Sequence, residues 1–224
     1  MRKMNGEEFD ELVSFFDSMA RTSWLKQIHD TLKEMTGLWN GKDVLDVGCG
    51  TGRLLLRGAE EANRLVGVDL SSEMVKASIQ QFFYHELSGK SEFLVADAEK
   101  LPFKDDSFDL ALSTCVMFLL PDPVQGIKEM CRVLKTGGQI AMLNPSEKMS
   151  QETAVQYAKE KGISGFERIA LLKWSNVSTK RHRYTTEEMT ELLENLQFTE
   201  ISHSEVLGGL AIITIAKKKE TTLK

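Results

Sequence analysis

The chain has 224 residues, enough for one domain with a core of its own and a small appended lid. Hydrophobic residues make up 42% and charged residues 27%, as in a globular domain, and no apolar run approaches the roughly 18 residues that span a bilayer. The formal net charge of −5 gives no global positive field to draw in a nucleic acid, and the cysteines (Cys49, Cys115 and Cys131) lack metal-ligand spacing and fit reduced thiols in a cytoplasm.

Residues 7–20 place Phe9, Leu12, Val13, Phe16, Met19 and Ala20 at helical spacing, which predicts one helix. Thr22 and Ser23 offer a cap for a second, which carries Trp24, Leu25, Ile28, Leu32 and Met35 and stops near Gly37. From residue 43 the pattern alternates. Residues 43–47 read as a strand, 53–62 as a helix and 64–70 as a strand. Ser71 or Ser72 caps a helix to about residue 87, and strands follow over 91–96 and 108–114. Asp122-Pro123-Val124-Gln125 starts a helix that reaches Lys135 and stops at Gly137-Gly138, before a strand over 139–143. This order predicts a mostly parallel sheet with helices on both faces. The last third begins with a polar helix over 150–161, an apolar stretch over 166–174 and a basic run, Lys180-Arg181-His182-Arg183. A capping box at Thr185 opens a helix to residue 195 or 196, and 198–206 with 210–216 form an antiparallel hairpin.

The chemistry concentrates at the ends of the predicted strands. Val44-Leu45-Asp46-Val47-Gly48-Cys49-Gly50-Thr51-Gly52 is a strand, a tight glycine turn and a helix start, the arrangement that binds nucleotides beyond the carboxyl ends of an open α/β sheet. Asp69 ends the second strand, where a carboxylate can accept from ribose hydroxyls. Asp97, followed by Ala98, ends the third, and Ser113 and Thr114 end the fourth. Four strands thus present polar residues to one crevice.

The series LDVGCGTG, VGVDLS, ADAEKLPF, FDLALS and VLKTGG resembles the class I S-adenosylmethionine (SAM) dependent methyltransferases, specifically over about residues 40–145. It looks closest to the small-molecule branch that includes the ubiquinone/menaquinone C-methyltransferases. The ending YTTEEMTELLENLQFTEI is similar to the same branch's last helix and strand. The resemblance implies a Rossmann-like, doubly wound α/β fold with a seven-stranded sheet whose last strand is antiparallel. It implies that Asp46 and the backbone of Gly48, Cys49 and Gly50 hold the methionine part of SAM, and that Asp69 holds the ribose. Leu70, Met74, Asp97 and Ala98 would surround the adenine, and Ser113 and Thr114 would lie near the methionine part. Two positions depart from the family's pattern. Thr136 stands where proline is common, and Phe15-Phe16-Asp17 with Trp24 replace an N-terminal tyrosine motif.

Residues 1–38 are expected to form a helical cap and 147–184 a substrate lid of a single domain. The leading reading is methyl transfer to a small, partly apolar or acidic molecule at C, N or O. A SAM-binding regulatory protein without turnover and a protein or RNA methyltransferase stand beside it. The strand end Ser113-Thr114-Cys115-Val116 lacks the Asn-Pro-Pro-aromatic motif of amide and base-nitrogen methylation. A nicotinamide oxidoreductase would need GxGxxG, which this turn lacks. Each of His29, His85, His182 and His203 is read as a surface or structural residue. No catalytic residue and no metal ligand is assigned, because a general base is needed only where the acceptor must lose a proton.

Overall fold

The computed structural model describes residues 4–220. Seven strands form one sheet: β1 (Asp43–Val47), β2 (Arg64–Asp69), β3 (Ser91–Val95), β4 (Phe108–Thr114), β5 (Leu134–Pro145), β6 (Phe198–Val206) and β7 (Ala211–Lys218). Their order is β3-β2-β1-β4-β5-β7-β6. The first five run parallel, and β7 lies antiparallel between β5 and β6. The connections leave β1 toward β2 on one side and later return to β4 on the other. This reversal opens a crevice beyond the carboxyl ends of β1 and β4.

The strands alternate between two cores, as their side-chain period of two requires. Val44, Leu65, Leu110, Leu112, Ala141 and Leu143 face one core, and Leu45, Val66, Ala111, Ile140 and Met142 face the other. The first core is covered by α2 (Val13–Ala20), α3 (Ser23–Met35), α4 (Ser72–Tyr84), α6 (Gln151–Glu160) and α7 (Gly165–Ser178). The second is covered by α5 (Pro123–Val133) and α8 (Thr186–Asn195). Asp46 shares the face of Val44, so this carboxylate points into the first core.

Three local expectations are corrected. The helix expected over 7–20 is two, α1 (Gly6–Asp10) and α2, broken at Glu11-Leu12. The break lets Asp10 and Asp17 each reach a different strand-end loop. Residues 53–62 form turns around one short 3-10 segment, Leu55–Gly58, instead of a helix. Here Glu61 is drawn back to accept from the Trp39 N–H at 2.7 Å, over an indole ring that is fully buried. Third, α5 ends at Val133, and Gly137-Gly138 lie within β5. The register jumps from Phe108–Leu134 to Leu110–Gln139 there, an irregularity that glycine tolerates. The apolar stretch 166–174 is part of α7, with Leu171 and Trp174 buried and Phe166 and Ile169 exposed.

Candidate functional site

The glycine turn after β1 is fixed by three backbone bonds. Gly48 and Cys49 donate to Val68 O at 2.7 and 2.9 Å, and Gly50 donates to Asp69 Oδ2 at 2.8 Å. Gly48 has φ +75°, and a Cβ there would stand 2.2 Å from Val116 Cγ2, so only glycine fits. A phosphate-binding turn needs free N–H groups. In this turn the N–H groups of Gly48, Cys49 and Gly50 are committed, the last of them to the carboxylate of Asp69.

Asp69 Oδ1 accepts from the Ser71 N–H at 3.0 Å, so Asp69 ties two strand-end loops together. Burial raises its pKa, opposed by these backbone bonds. Each carboxylate oxygen still has a lone pair for a hydroxyl donor. Asp46 is 1% exposed, and its Oδ1 has no partner among the described residues. Burial, then the neighbouring Asp69, pushes its pKa up to about 8. An unpaired buried carboxylate is costly, and a cation placed against it would remove the cost.

These residues open into a cavity of about 1200 Å³, its mouth included. Of the positions expected from sequence, Asp46, Gly48, Cys49, Gly50, Asp69, Leu70, Met74, Asp97, Ala98 and Thr114 line it. Ser113 is not among the lining residues. Its hydroxyl is 1% exposed and donates to Val47 O at 2.9 Å, pinning β4 to β1. Cys49 and Cys115 line the cavity as inert thiols. Burial holds Cys49 well above its usual range and pushes Cys115 up to about 12.

The opposite wall is helical, with Phe9, Phe16, Met19, Ala20, Leu25 and His29. It is latched to the sheet at two points. Asp10 accepts from Ser71 Oγ and from the Glu73 N–H, which lie just past β2. Asp17 accepts from Thr51 Oγ1 at 2.9 Å and Arg53 Nε at 2.6 Å, just past β1. The segment 147–184 gives no lining residue. Instead α7 props the helical wall from behind. Trp174 stacks on Trp24 with ring centroids 5.8 Å apart, and Glu167 accepts from Ser23 Oγ at 2.6 Å. In the basic run, Arg183 donates to the carbonyls of Glu147 and Met149, and His182 N–H to Phe118 O. The sequence leads to the expectation of a helical cap over residues 1–38 but does not single out Phe9, Phe16, Met19, Ala20, Leu25 and His29 as its lining. Its signal for His29 was a place inside the buried stripe Leu25, Ile28, Leu32.

Residues 38–197 match a family described as a methyltransferase domain. The chain belongs to the class I SAM-dependent methyltransferases. The methyltransferase domain is 34% identical over 147 residues to the ubiquinone/menaquinone biosynthesis C-methyltransferase of Geotalea daltonii, covering 61% of each chain. It is 29% identical over 134 residues to a sterol 4-C-methyltransferase of Caenorhabditis elegans, covering 60% of this chain and 40% of that one. The chain therefore spans about two-fifths to three-fifths of these curated relatives. The fold is shared with the cyclase SpnF, at a TM-score of 0.72 and 21% identity over 96% of this chain and 95% of that one. The fold by itself thus does not fix the reaction. The cofactor of the methyltransferase family is SAM, and the site fits it. Asp46 has an unpaired oxygen that a cationic group could meet, the N–H groups of Gly48, Cys49 and Gly50 are already bonded, and Asp69 has acceptor capacity left for hydroxyl donors.

Proposed function

We propose that the chain transfers a methyl group from SAM to a small-molecule acceptor. The observation that carries this reading is the unpaired, buried Asp46 carboxylate below a glycine turn in which the N–H groups of Gly48, Cys49 and Gly50 are already bonded. That pairing favours a ligand with a cationic end over an anionic one. In this reading Asp46 and the turn hold the methionine part, Asp69 the ribose, and Leu70, Met74, Asp97 and Ala98 the adenine. Thr114 stands nearest the methionine part, whereas Ser113 acts through the backbone.

When bound, SAM supplies a methyl group activated on a sulfonium. The protein's share is to align an acceptor behind that methyl and to keep water out. The helical wall suits both tasks, because most of its lining is apolar and it is latched at Asp10 and Asp17. The quinone and sterol named for the two relatives support an acceptor with a large apolar body. No helix among the described residues is long and apolar enough to cross a membrane. The free cysteines support a reducing compartment, and we place the chain in the cytoplasm.

Calorimetric titration with SAM and with S-adenosylhomocysteine tests the cofactor site. Saturable binding is expected for the unmodified chain and a loss of about tenfold or more for Asp69→Ala, which removes a charged acceptor from both loops. Absence of binding to a folded chain would overturn the reading. Transfer of a labelled methyl to acceptors then separates an enzyme from a binding protein without turnover.

A further inference from the structure

The helical wall of the cavity has one polar residue. His29 is 4% exposed, lines the cavity, and makes no hydrogen bond with any described residue; its Nδ1 is fully enclosed. Its neighbours along the buried stripe of α3 are Leu25, Ile28 and Leu32, where a leucine or methionine would fill the space without stranding a nitrogen. A buried polar atom without a partner costs about 1–3 kcal/mol. The enclosed Nδ1 is out of a ligand's reach, but Nε2 is not among the fully enclosed atoms and also has no partner among the described residues, so it is the ring nitrogen that a ligand in the cavity would meet.

Resting on the proposed methyl transfer, we propose that His29 is a positioning residue that hydrogen-bonds the single polar atom of an otherwise apolar, uncharged methyl acceptor. The strand-end carboxylates on the far side are accounted for by the cofactor. What remains for the acceptor is the wall of Phe9, Phe16, Met19, Ala20 and Leu25, with His29 in it. Burial first, and then Arg57, holds the imidazole neutral by lowering its pKa to about 3. A neutral imidazole offers one donor and one acceptor, which suits a hydroxyl or an amine. Charge disfavours an acid. Arg53, the cation that lines the cavity, is already paired with Asp17, and Arg57, paired with Asp30, is not among the lining residues. The basic run at 180–183 does not supply one either, because Arg183 is spent on backbone carbonyls and lines no part of this cavity.

The test uses the full chain loaded with S-adenosylhomocysteine and two ring probes of nearly equal shape, 2-naphthol and naphthalene. Binding is followed by the probes' fluorescence, for the unmodified chain, His29→Leu and His29→Gln. Cofactor-product affinity and melting temperature are measured on each. The unmodified chain should bind 2-naphthol about tenfold more tightly than naphthalene, the value of one hydrogen bond completed in an apolar site. His29→Leu should abolish this preference with its melting temperature unchanged or raised, and with S-adenosylhomocysteine affinity intact. His29→Gln should restore part of it. Four outcomes would overturn the proposal: equal binding of the two rings or of neither by the unmodified chain, an undiminished preference in His29→Leu, a tenfold loss of S-adenosylhomocysteine affinity in that variant, or a large fall in its melting temperature. Failure of the unmodified chain to bind S-adenosylhomocysteine would instead strike at the methyltransferase reading itself.

Discussion

At the scale of single residues, Asp46 is the most informative position. Its carboxyl ionises near pH 8 in the ligand-free fold, against an ordinary value of 3.8. A raised carboxyl pKa means that the folded state holds the proton more tightly than the unfolded chain. The stabilising contribution is therefore complete below about pH 4 and is lost as pH rises toward 8. A bound ammonium reverses the preference and expels the proton. Asp69, the facing carboxylate, acts in the same direction because burial raises it as well. We expect S-adenosylhomocysteine to bind more tightly as pH rises from 6 to about 8, with proton release, and to level off above that. Titrations in two buffers of different ionisation enthalpy measure the protons released. A pH-independent affinity without proton release would rule out Asp46 as the group that meets the cation.

At the scale of elements, the N-terminal helices are built to cover the cavity and to sense the loops that line it. A Cβ on Gly6 would lie 2.3 Å from Leu70 O, so the backbone of α1 rests directly on the loop past β2. Asp17 receives Arg53, Thr51 and Arg21, and its carboxyl is held below the usual range by those partners against the cost of burial. Asp17→Ala should release α2 from the glycine turn and leave Arg53 without its partner. The expected loss is about 1 kcal/mol of stability, modest because the cluster is partly solvated. Cofactor-product affinity should fall with it. Urea unfolding and calorimetry on the same samples give both numbers, and unchanged values in each would show that the latch carries no energy. Behind α2 and α3, the Trp24–Trp174 stack and Glu167 transmit the packing of α7 to the wall. The segment 147–184 thus stands behind the wall through α7, while residues of 9–29 line the cavity itself.

At the scale of the whole molecule, the cavity joins loops from four strands to helices that precede them in the chain. A ligand bound there would add to the latches at Asp10 and Asp17 that already join them. Saturation with S-adenosylhomocysteine at about a hundredfold excess over its dissociation constant should add about 2.7 kcal/mol to the folding free energy. Hydrogen exchange should slow together in α1, α2 and the loops at 48–54 and 69–74. Protection confined to the loops would mean that the helical wall is not part of the binding unit.

The parallel αβ order, the glycine turn and the acidic strand ends at Asp46, Asp69 and Asp97 were readable from the chain alone. They depend on short-range signals, namely residue period, turn chemistry and a charged residue placed where an apolar strand ends. The closing hairpin was legible for the same reason. Other features were set by contacts between distant positions, and no local pattern carries them. The break at Glu11-Leu12 follows from Asp10 meeting Ser71 and Asp17 meeting Arg53, and the turns at 53–62 wrap a buried Trp39. Ser113 reads as a cofactor contact by its place at a strand end, yet its hydroxyl is consumed by Val47 of the neighbouring strand. His29 looks like any helix histidine until α3 is laid over the crevice. The sequence by itself determined which polar residues stand at the strand ends, because residue period and turn chemistry are short-range signals. Only the tertiary structure decided which residues of the expected helical cap face the cavity, because the place of those helices is set by long-range hydrogen bonds and ring packing.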